Sequence, residues 1–199
     1  MNESRNQFPK GKVMDNGASS YRRFLKGDDG AIVEIVREYK DGLIFYLCGI
    51  VGDVYTAEDI MTETFVKLAV KKPRFIAKDA TFKTWLYKVA RNLALDLLRK
   101  RSKISDRPIE DYGNILIGAD DVASWYIAKE DARTLHIAMR ELKDEYRQVL
   151  YLVFFEGFDN RQAASVMKKS VRQIENLLYR AKNALKAELE KKGFVYEGL

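Results

Sequence analysis

Cysteine, histidine and proline are scarce in this chain of 199 residues, which contains one Cys, one His and three Pro. A single cysteine, Cys48, permits no internal disulfide, and with His136 it cannot complete a zinc cluster. We therefore expect no metal and no cofactor, and the single thiol fits a reducing compartment. With few prolines and no convincing alternation of apolar and polar residues, β-strands are not needed.

Long apolar runs are also missing. The longest uncharged apolar run, residues 43–51, is far shorter than the roughly 20 residues that a membrane-spanning helix requires. The chain does not open with the pattern of a signal peptide. We therefore expect a cytoplasmic protein without direct membrane insertion.

Positive charge is what the chain has in excess, with a net charge of +6 and a pI near 9.2. Residues 81–107 hold eight Lys/Arg against two Asp, a local charge of +6. Apolar residues recur there at offsets of three and four, which predicts one helix with a core-facing stripe: Phe82, Trp85, Leu86, Val89, Leu93 and Leu97. Trp85 is expected in the core rather than as a stacking platform. The opposite, basic surface, with Tyr87 and Asn92 on it, suits nucleic acid.

A second basic segment, residues 161–192, has nine Lys/Arg against three Glu, again +6. Asp159 with Gln162, and Ser170 with Gln173, have the spacing of capping boxes, so two helices should begin eleven residues apart. Only a tight turn fits between them. The spacing predicts a helix-turn-helix whose second helix lies in the DNA major groove.

Charge and helix signals divide the chain into four parts. We predict a mobile tail over residues 1–21, a helical domain over 22–103, an acidic linker over 104–124 and a second helical domain over 125–199. The predicted fold class is all-α, with two small helical domains joined by the acidic linker and a helix-turn-helix in the C-terminal one.

Two classes of function fit these patterns poorly, an enzyme and a free-standing helix-turn-helix regulator. No nucleophile–base pair, glycine-rich phosphate loop or metal-ligand cluster is visible, so an enzyme is the remote alternative. A free-standing helix-turn-helix regulator should dimerise on a palindromic site, and the sequence shows no evident dimerisation helix.

The segments over residues 57–65 and 82–96 resemble the second conserved region of bacterial RNA polymerase sigma factors, and the helix-turn-helix resembles the fourth. Only these two regions and a linker are present, as in the extracytoplasmic-function (ECF) group. The resemblance implies promoter recognition, DNA opening and transcription initiation. It implies three partners: RNA polymerase core through its beta-prime and beta subunits, promoter DNA, and an anti-sigma factor.

The resemblance also assigns residues. It implies that Asp59, Glu63 and Phe65 contact core polymerase, on a helix that we expect Thr56 to cap. The minus-10 element would be bound by the loop over residues 75–83 and the following helix, with Asn92 at the position that holds a flipped base. The minus-10 residues are Lys83, Tyr87, Lys88, Arg91, Asn92 and Arg99.

For the minus-35 duplex the corresponding residues are Lys169, Arg172, Gln173, Glu175, Asn176 and Arg180. This chain departs from the family pattern at three positions. Lys168 replaces the usual Gly of the turn, and Glu175 and Leu177 stand where basic residues are common. Leu177 therefore has two interpretations. In the first, it stands at the DNA surface and the minus-35 contact lacks the phosphate anchor that a basic residue would supply. In the second, it is buried against its neighbours.

Overall fold

The computed structural model describes residues 16–76, 80–105, 135 and 137–193. Its elements are α1 (Asn16–Leu25), α2 (Gly30–Val51), α3 (Val54–Lys71), α4 (Phe82–Ser105), α5 (Asp144–Leu150), a π-helical turn (Tyr151–Phe155), α6 (Asn160–Met167) and α7 (Val171–Lys191). Residues 137–140 are also helical, and the described ranges contain no strand. The all-α prediction is confirmed. The predicted linker, apart from its first two residues at the end of α4, lies outside the described residues.

The N-terminal half is built around α2, which packs against α1, α3 and α4. The predicted tail is wrong in its last residues, because α1 begins at Asn16. Tyr21 and Phe24, one helical turn apart, are both buried, and the Tyr21 ring lies 5.3 Å from that of Phe82. The Tyr21 hydroxyl donates to the Pro73 carbonyl at 2.6 Å, and burial raises the pKa of this phenol to about 12. Aromatic burial therefore fixes α1 onto the domain.

The cap of α3 also differs from the prediction. Asp53, not Thr56, is the N-cap, and its carboxylate accepts from the Thr56 backbone N–H at 2.7 Å. The Thr56 hydroxyl is buried and accepts instead from the Arg101 guanidinium of α4 at 3.2 Å. Gly52 ends α2 in the left-handed conformation, with φ of 85°, so the chain turns sharply between the two helices.

Cys48 on α2 should be chemically inert in the folded protein. Burial, followed by the charges of Asp53 and Glu58, raises the pKa of its thiol to about 12. The thiol therefore stays protonated until the pH approaches that value, and the thiolate that reacts is scarce at about pH 8. Even though a more basic thiolate is a better nucleophile, we expect reaction with a disulfide reagent to be at least about thirtyfold slower than in the unfolded chain. Stopped-flow thiol titration with and without guanidinium chloride measures this, and equal rates would contradict the burial.

The helix-turn-helix forms as predicted. In the first capping box the Asp159 carboxylate accepts from the Gln162 N–H at 2.8 Å, and in the second Ser170 Oγ accepts from the Gln173 N–H at 3.2 Å. In the reciprocal bonds, each Gln side-chain oxygen accepts from the backbone N–H of the cap residue. These four bonds satisfy backbone donors that a helix start otherwise leaves free, so α6 and α7 have fixed beginnings.

Lys168, the residue that replaces a turn glycine, is in the left-handed conformation with φ of 55°. A side chain there costs roughly 1–2 kcal/mol, whereas glycine adopts it freely but loses more entropy on folding. We therefore expect Lys168→Gly to stabilise the chain by about 0.5–1 kcal/mol. Thermal unfolding checks this, with Lys168→Ala as the control that removes the same charge and keeps the strain. A gain in Lys168→Ala equal to that in Lys168→Gly would show that charge, not backbone strain, is responsible.

The two halves pack against each other, and we call this packing the closed arrangement. Helix α5 contacts α2, and α6 contacts α4, so that one apolar core runs through both halves. Within the described residues, no helix is both long and apolar enough to span a bilayer.

Candidate nucleic-acid and polymerase interfaces

The residues predicted to bind the minus-10 element form two stripes on α4. Lys83, Tyr87 and Arg91 are spaced by four residues, and we call them the covered stripe. Lys88, Asn92 and Arg99 form a second stripe about 120° around the helix, which we call the open stripe. Lys88 and Asn92 are half-buried, and Arg99 is exposed and pairs with Asp96 at 2.7 Å.

The prediction that Tyr87 and Arg91 lie on an open surface is wrong for the closed arrangement. Tyr87 is fully buried, and its ring meets that of Phe158 edge to face at 5.2 Å. Arg91 is 9% exposed and donates from Nε to Gln148 Oε1 at 3.3 Å. Both partners come from the C-terminal half, which is why a pattern confined to α4 gave no sign of this burial.

Lys83 is held by the same half. Its ammonium donates to the Glu156 carboxylate at 2.8 Å and to the Glu156 main-chain carbonyl at 2.8 Å. The Tyr87 hydroxyl has no hydrogen-bond partner among the described residues, and burial, followed by the nearby Glu156 charge, raises the pKa of Tyr87. At neutral pH this phenol is therefore uncharged.

Trp85 packs as a core aromatic. Its ring lies 5.6 Å from Phe82, 5.6 Å from Phe75 and 5.7 Å from Tyr21. It remains half-buried and precedes Lys88 by one turn, so its outer edge borders the open stripe. An aromatic edge, an amide and two cations therefore lie in one row on α4.

Helix α3 presents a different surface. Asp59 and Glu63 are exposed and four residues apart, whereas Phe65 is buried. Phe65 therefore packs inside the domain, and its prediction as a direct surface contact is wrong. The exposed residues Tyr55 (71%), Val66 (53%) and Val70 (75%) share the face of the two acids. We call these five residues the α3 stripe. Its apolar members were not predicted from the sequence, although the offsets of three and four along the stripe indicate a shared helix face.

On the recognition helix α7, the predicted minus-35 residues are mostly exposed: Arg172, Gln173, Glu175, Asn176 and Arg180. Lys169, before the helix, pairs with Glu145 at 2.8 Å. Gln173 Oε1 accepts from the Ser170 N–H at 2.7 Å, which occupies one of the two lone pairs of its amide oxygen. Leu177 is half-buried and packs against the core, which agrees with the second interpretation, that Leu177 is buried against its neighbours.

The described residues contain no group of three or more His, Cys, Asp or Glu side chains placed to hold a metal ion. The surfaces described above are basic, amide-bearing or mixed acidic and apolar.

Comparison with known proteins matches both halves of the chain. Residues 35–104 match the family Sigma-70 region 2, and residues 133–185 match Sigma-70, region 4. The ECF RNA polymerase sigma factor SigM of Bacillus subtilis is 30% identical over 159 residues, which cover 78% of this chain and 93% of SigM. The chain belongs to the ECF group of RNA polymerase sigma factors.

Other relatives agree with this assignment. The ECF RNA polymerase sigma factor SigW of Bacillus subtilis is 28% identical over 84% of this chain and 94% of SigW. The RNA polymerase sigma-H factor of Pseudomonas aeruginosa is 27% identical over 84% of this chain and 91% of its own length. This ECF sigma factor thus aligns with these three relatives over nearly their whole lengths, and the predicted ECF membership and sigma factor function are confirmed.

Two solved structures share the fold. CnrH in complex with the cytosolic domain of CnrY has a TM-score of 0.61 at 22% identity, covering 88% of this chain and 98% of that one. The sigma factor RpoE in complex with the anti-sigma factor NepR from Bartonella quintana has a TM-score of 0.64 at 21% identity, covering 79% and 95%. Members of this family bind RNA polymerase core and promoter DNA as transcription initiation factors.

Proposed function

We propose that this ECF sigma factor binds core polymerase through the α3 stripe, the minus-10 element through α4 and the minus-35 duplex through α7. It acts in the cytoplasm and carries no catalytic chemistry of its own. The observation that carries the proposal is the pairing of a basic, amide-bearing helix in one half with a doubly capped helix-turn-helix in the other.

The α3 stripe suits a basic, partly apolar helix of the polymerase. Asp59 and Glu63 supply charge for orientation, and Tyr55, Val66 and Val70 supply apolar surface that is open to water in the free chain. A mixed surface of this kind gives affinity from apolar burial and specificity from charge. Phe65, from inside the domain, positions the helix rather than touching the partner.

The open stripe on α4 suits a single DNA strand. Asn92 can pair its amide donor and acceptor with a base edge, while Lys88 and Arg99 lie close enough on the same stripe to neutralise phosphates. A base extruded from the duplex gains these contacts, which favours opening without ATP.

Helix α7 suits the major groove. Arg172, Asn176 and Arg180 follow one another at offsets of four and are exposed, so they can face one duplex together. Glu175 offers an acceptor suited to the amino group of cytosine, and Gln173 offers its amide donors while its oxygen accepts from the Ser170 N–H. Phosphate anchoring comes from Arg172, Arg180 and Lys169, and not from Leu177, which packs on the core.

A proteinaceous inhibitor is a further proposed partner. Two of the solved structures that share the fold contain a second protein, the cytosolic domain of CnrY in one case and the anti-sigma factor NepR in the other. We extend this to the present chain as an anti-sigma factor that holds the sigma factor inactive.

Run-off transcription from a library of genomic fragments tests the function. Core polymerase with this chain should produce discrete transcripts that core polymerase alone does not. Alignment of their start sites should give two conserved elements at the spacing of minus-10 and minus-35. Identical transcripts with and without the chain would contradict the proposal.

A further inference from the structure

The predicted minus-10 loop, residues 75–83, is held near both of its ends by one side chain of α1. Before the loop, the Tyr21 hydroxyl donates to the Pro73 carbonyl at 2.6 Å. After it, the Tyr21 ring lies 5.3 Å from that of Phe82 and 5.7 Å from that of Trp85. We call these three contacts the clasp. We propose that Tyr21 is a positioning residue for promoter recognition: through the clasp it fixes the spacing of the loop ends, and with it the geometry in which bases are read.

Helix α1 gives the clasp a fixed base. In its first turn, an added methyl carbon at Gly17 would lie 2.5 Å from a ring carbon of Phe82, so this glycine lets α1 approach the start of α4 closely. Phe24 is also buried, and the Lys72 ammonium lies 4.7 Å from its ring centroid. Helix α1 therefore contacts the chain near both ends of the loop, at Lys72 and at Phe82.

The exit from α3 depends on the contact from Tyr21. Helix α3 ends at Lys71, and Lys72 follows in the left-handed conformation with φ of 41°, which residues with a side chain rarely adopt. Pro73 has no backbone N–H, and its carbonyl accepts from a phenol 52 residues earlier in the chain. Burial raises the pKa of Tyr21 to about 12, so the phenol keeps the proton that it donates. The path of the chain into the loop is thus set from α1.

Phe75 carries the restraint into the loop itself. Its ring meets that of Phe82 edge to face at 5.6 Å and lies 5.6 Å from that of Trp85. Trp85 is half-buried, and its outer edge borders the open stripe that contains Lys88 and Asn92. A shift of the loop ends therefore moves the aromatic edge beside the amide that we propose reads a base. Since recognition needs side chains that are held in place before the ligand arrives, loss of the clasp should weaken base selection.

Tyr21→Phe tests this role in transcription, because it removes the hydroxyl and keeps the ring. With core polymerase, competition between a promoter found by run-off transcription and promoters with one changed minus-10 base gives a discrimination ratio. The ratio should fall about two- to tenfold, the range that corresponds to one neutral hydrogen bond. Tyr21→Leu, which also loses the ring contacts, should lower it further. A smaller amount of folded protein would lower transcription from all the promoters alike, so stability by itself does not move the ratio.

Thr64→Val is the matched control. Thr64 is buried in the same half of the chain, and its hydroxyl donates to the Ile60 carbonyl at 2.7 Å within α3. The variant therefore loses one hydroxyl bond, as Tyr21→Phe does, but not one that reaches the loop. It should keep the discrimination ratio of the parent chain. All three variants should bind core polymerase like the parent chain, because the α3 stripe is unchanged.

Trp85 reports on the clasp without transcription. The chain has two tryptophans, so Trp125→Phe leaves Trp85 as its one indole. In that background, acrylamide should quench the Trp85 fluorescence at least about twofold faster in Tyr21→Leu than with Tyr21 present, because a gap replaces the ring beside the indole. Equal quenching would overturn the clasp itself.

This inference rests on the proposed function, since it assigns the clasp a role in reading the minus-10 element. A discrimination ratio that is the same in Tyr21→Phe, Tyr21→Leu and the parent chain would overturn it and leave Tyr21 as a core residue. An equal fall in Thr64→Val would overturn it as well, because any lost hydroxyl bond would then change base selection. Failure of the proposed function looks different: no chain, the parent included, would direct transcripts from core polymerase, whereas the Trp85 fluorescence would still respond to Tyr21→Leu.

Discussion

Asp59→Arg combined with Glu63→Arg should abolish co-elution of this chain with core polymerase. The two carboxylates are exposed on one face of α3, beside the apolar residues Val66 and Val70. Two new cations would meet the basic partner surface that we propose for the α3 stripe, and like charges in contact cost several kcal/mol. We therefore expect binding at least about a hundredfold weaker. Size-exclusion chromatography and a competition assay measure it.

The control is Asp29→Arg with Glu38→Arg, which makes the same charge change at exposed acids outside α3. It should bind core polymerase like the parent chain. Circular dichroism should show that both double variants stay helical. Unchanged co-elution of the α3 variant would remove the α3 stripe from the polymerase interface.

Asn92→Ala should lower open-complex formation roughly 5- to 150-fold, which corresponds to about 1–3 kcal/mol for a lost base contact. Asn92 is half-buried on the open stripe, one turn after Lys88, where its amide is accessible to a base. Competition among promoters that differ in single minus-10 bases measures the effect, and the preference at one base should disappear.

Asn183→Ala makes the same truncation at an exposed position of α7 and should leave opening unchanged. Thermal unfolding of Asn92→Ala separates a lost base contact from a damaged fold. If base preference and opening both survive the change, the base is read by another residue of α4.

Local signals were sufficient for the helix-turn-helix. A capping box needs only a polar side chain and a glutamine three residues later, so Asp159, Gln162, Ser170 and Gln173 could be assigned without any tertiary information. Lys168 could be identified as unusual for the same reason, because the backbone conformation of its turn is set by its immediate neighbours.

The prediction of Thr56 as the cap of α3 was wrong, because a tertiary contact from α4 that the local sequence does not show engages the Thr56 hydroxyl. Arg101 binds the Thr56 hydroxyl and leaves the capping role to Asp53. Phe65 was assigned to the polymerase contact by the family resemblance, which does not show whether a matching side chain is exposed or buried in this chain.

The covered stripe shows the limit of sequence reasoning most directly. On α4 alone, Lys83, Tyr87 and Arg91 have the composition of a nucleic-acid surface. In the structure they are covered by Glu156, Phe158 and Gln148, which follow them in the chain by 57 to 73 residues. Nothing in the spacing of either segment specifies that contact, which depends on how the two halves pack against each other.

Permanganate footprinting of an open promoter tests the central claim most directly. With a promoter found by run-off transcription, thymines around minus-10 should become reactive only when core polymerase and this chain are both present. Core polymerase alone, or the chain alone, should leave them paired and unreactive. Reactivity with the chain alone, or none with both, would contradict the account of this chain as the subunit that opens promoter DNA together with polymerase.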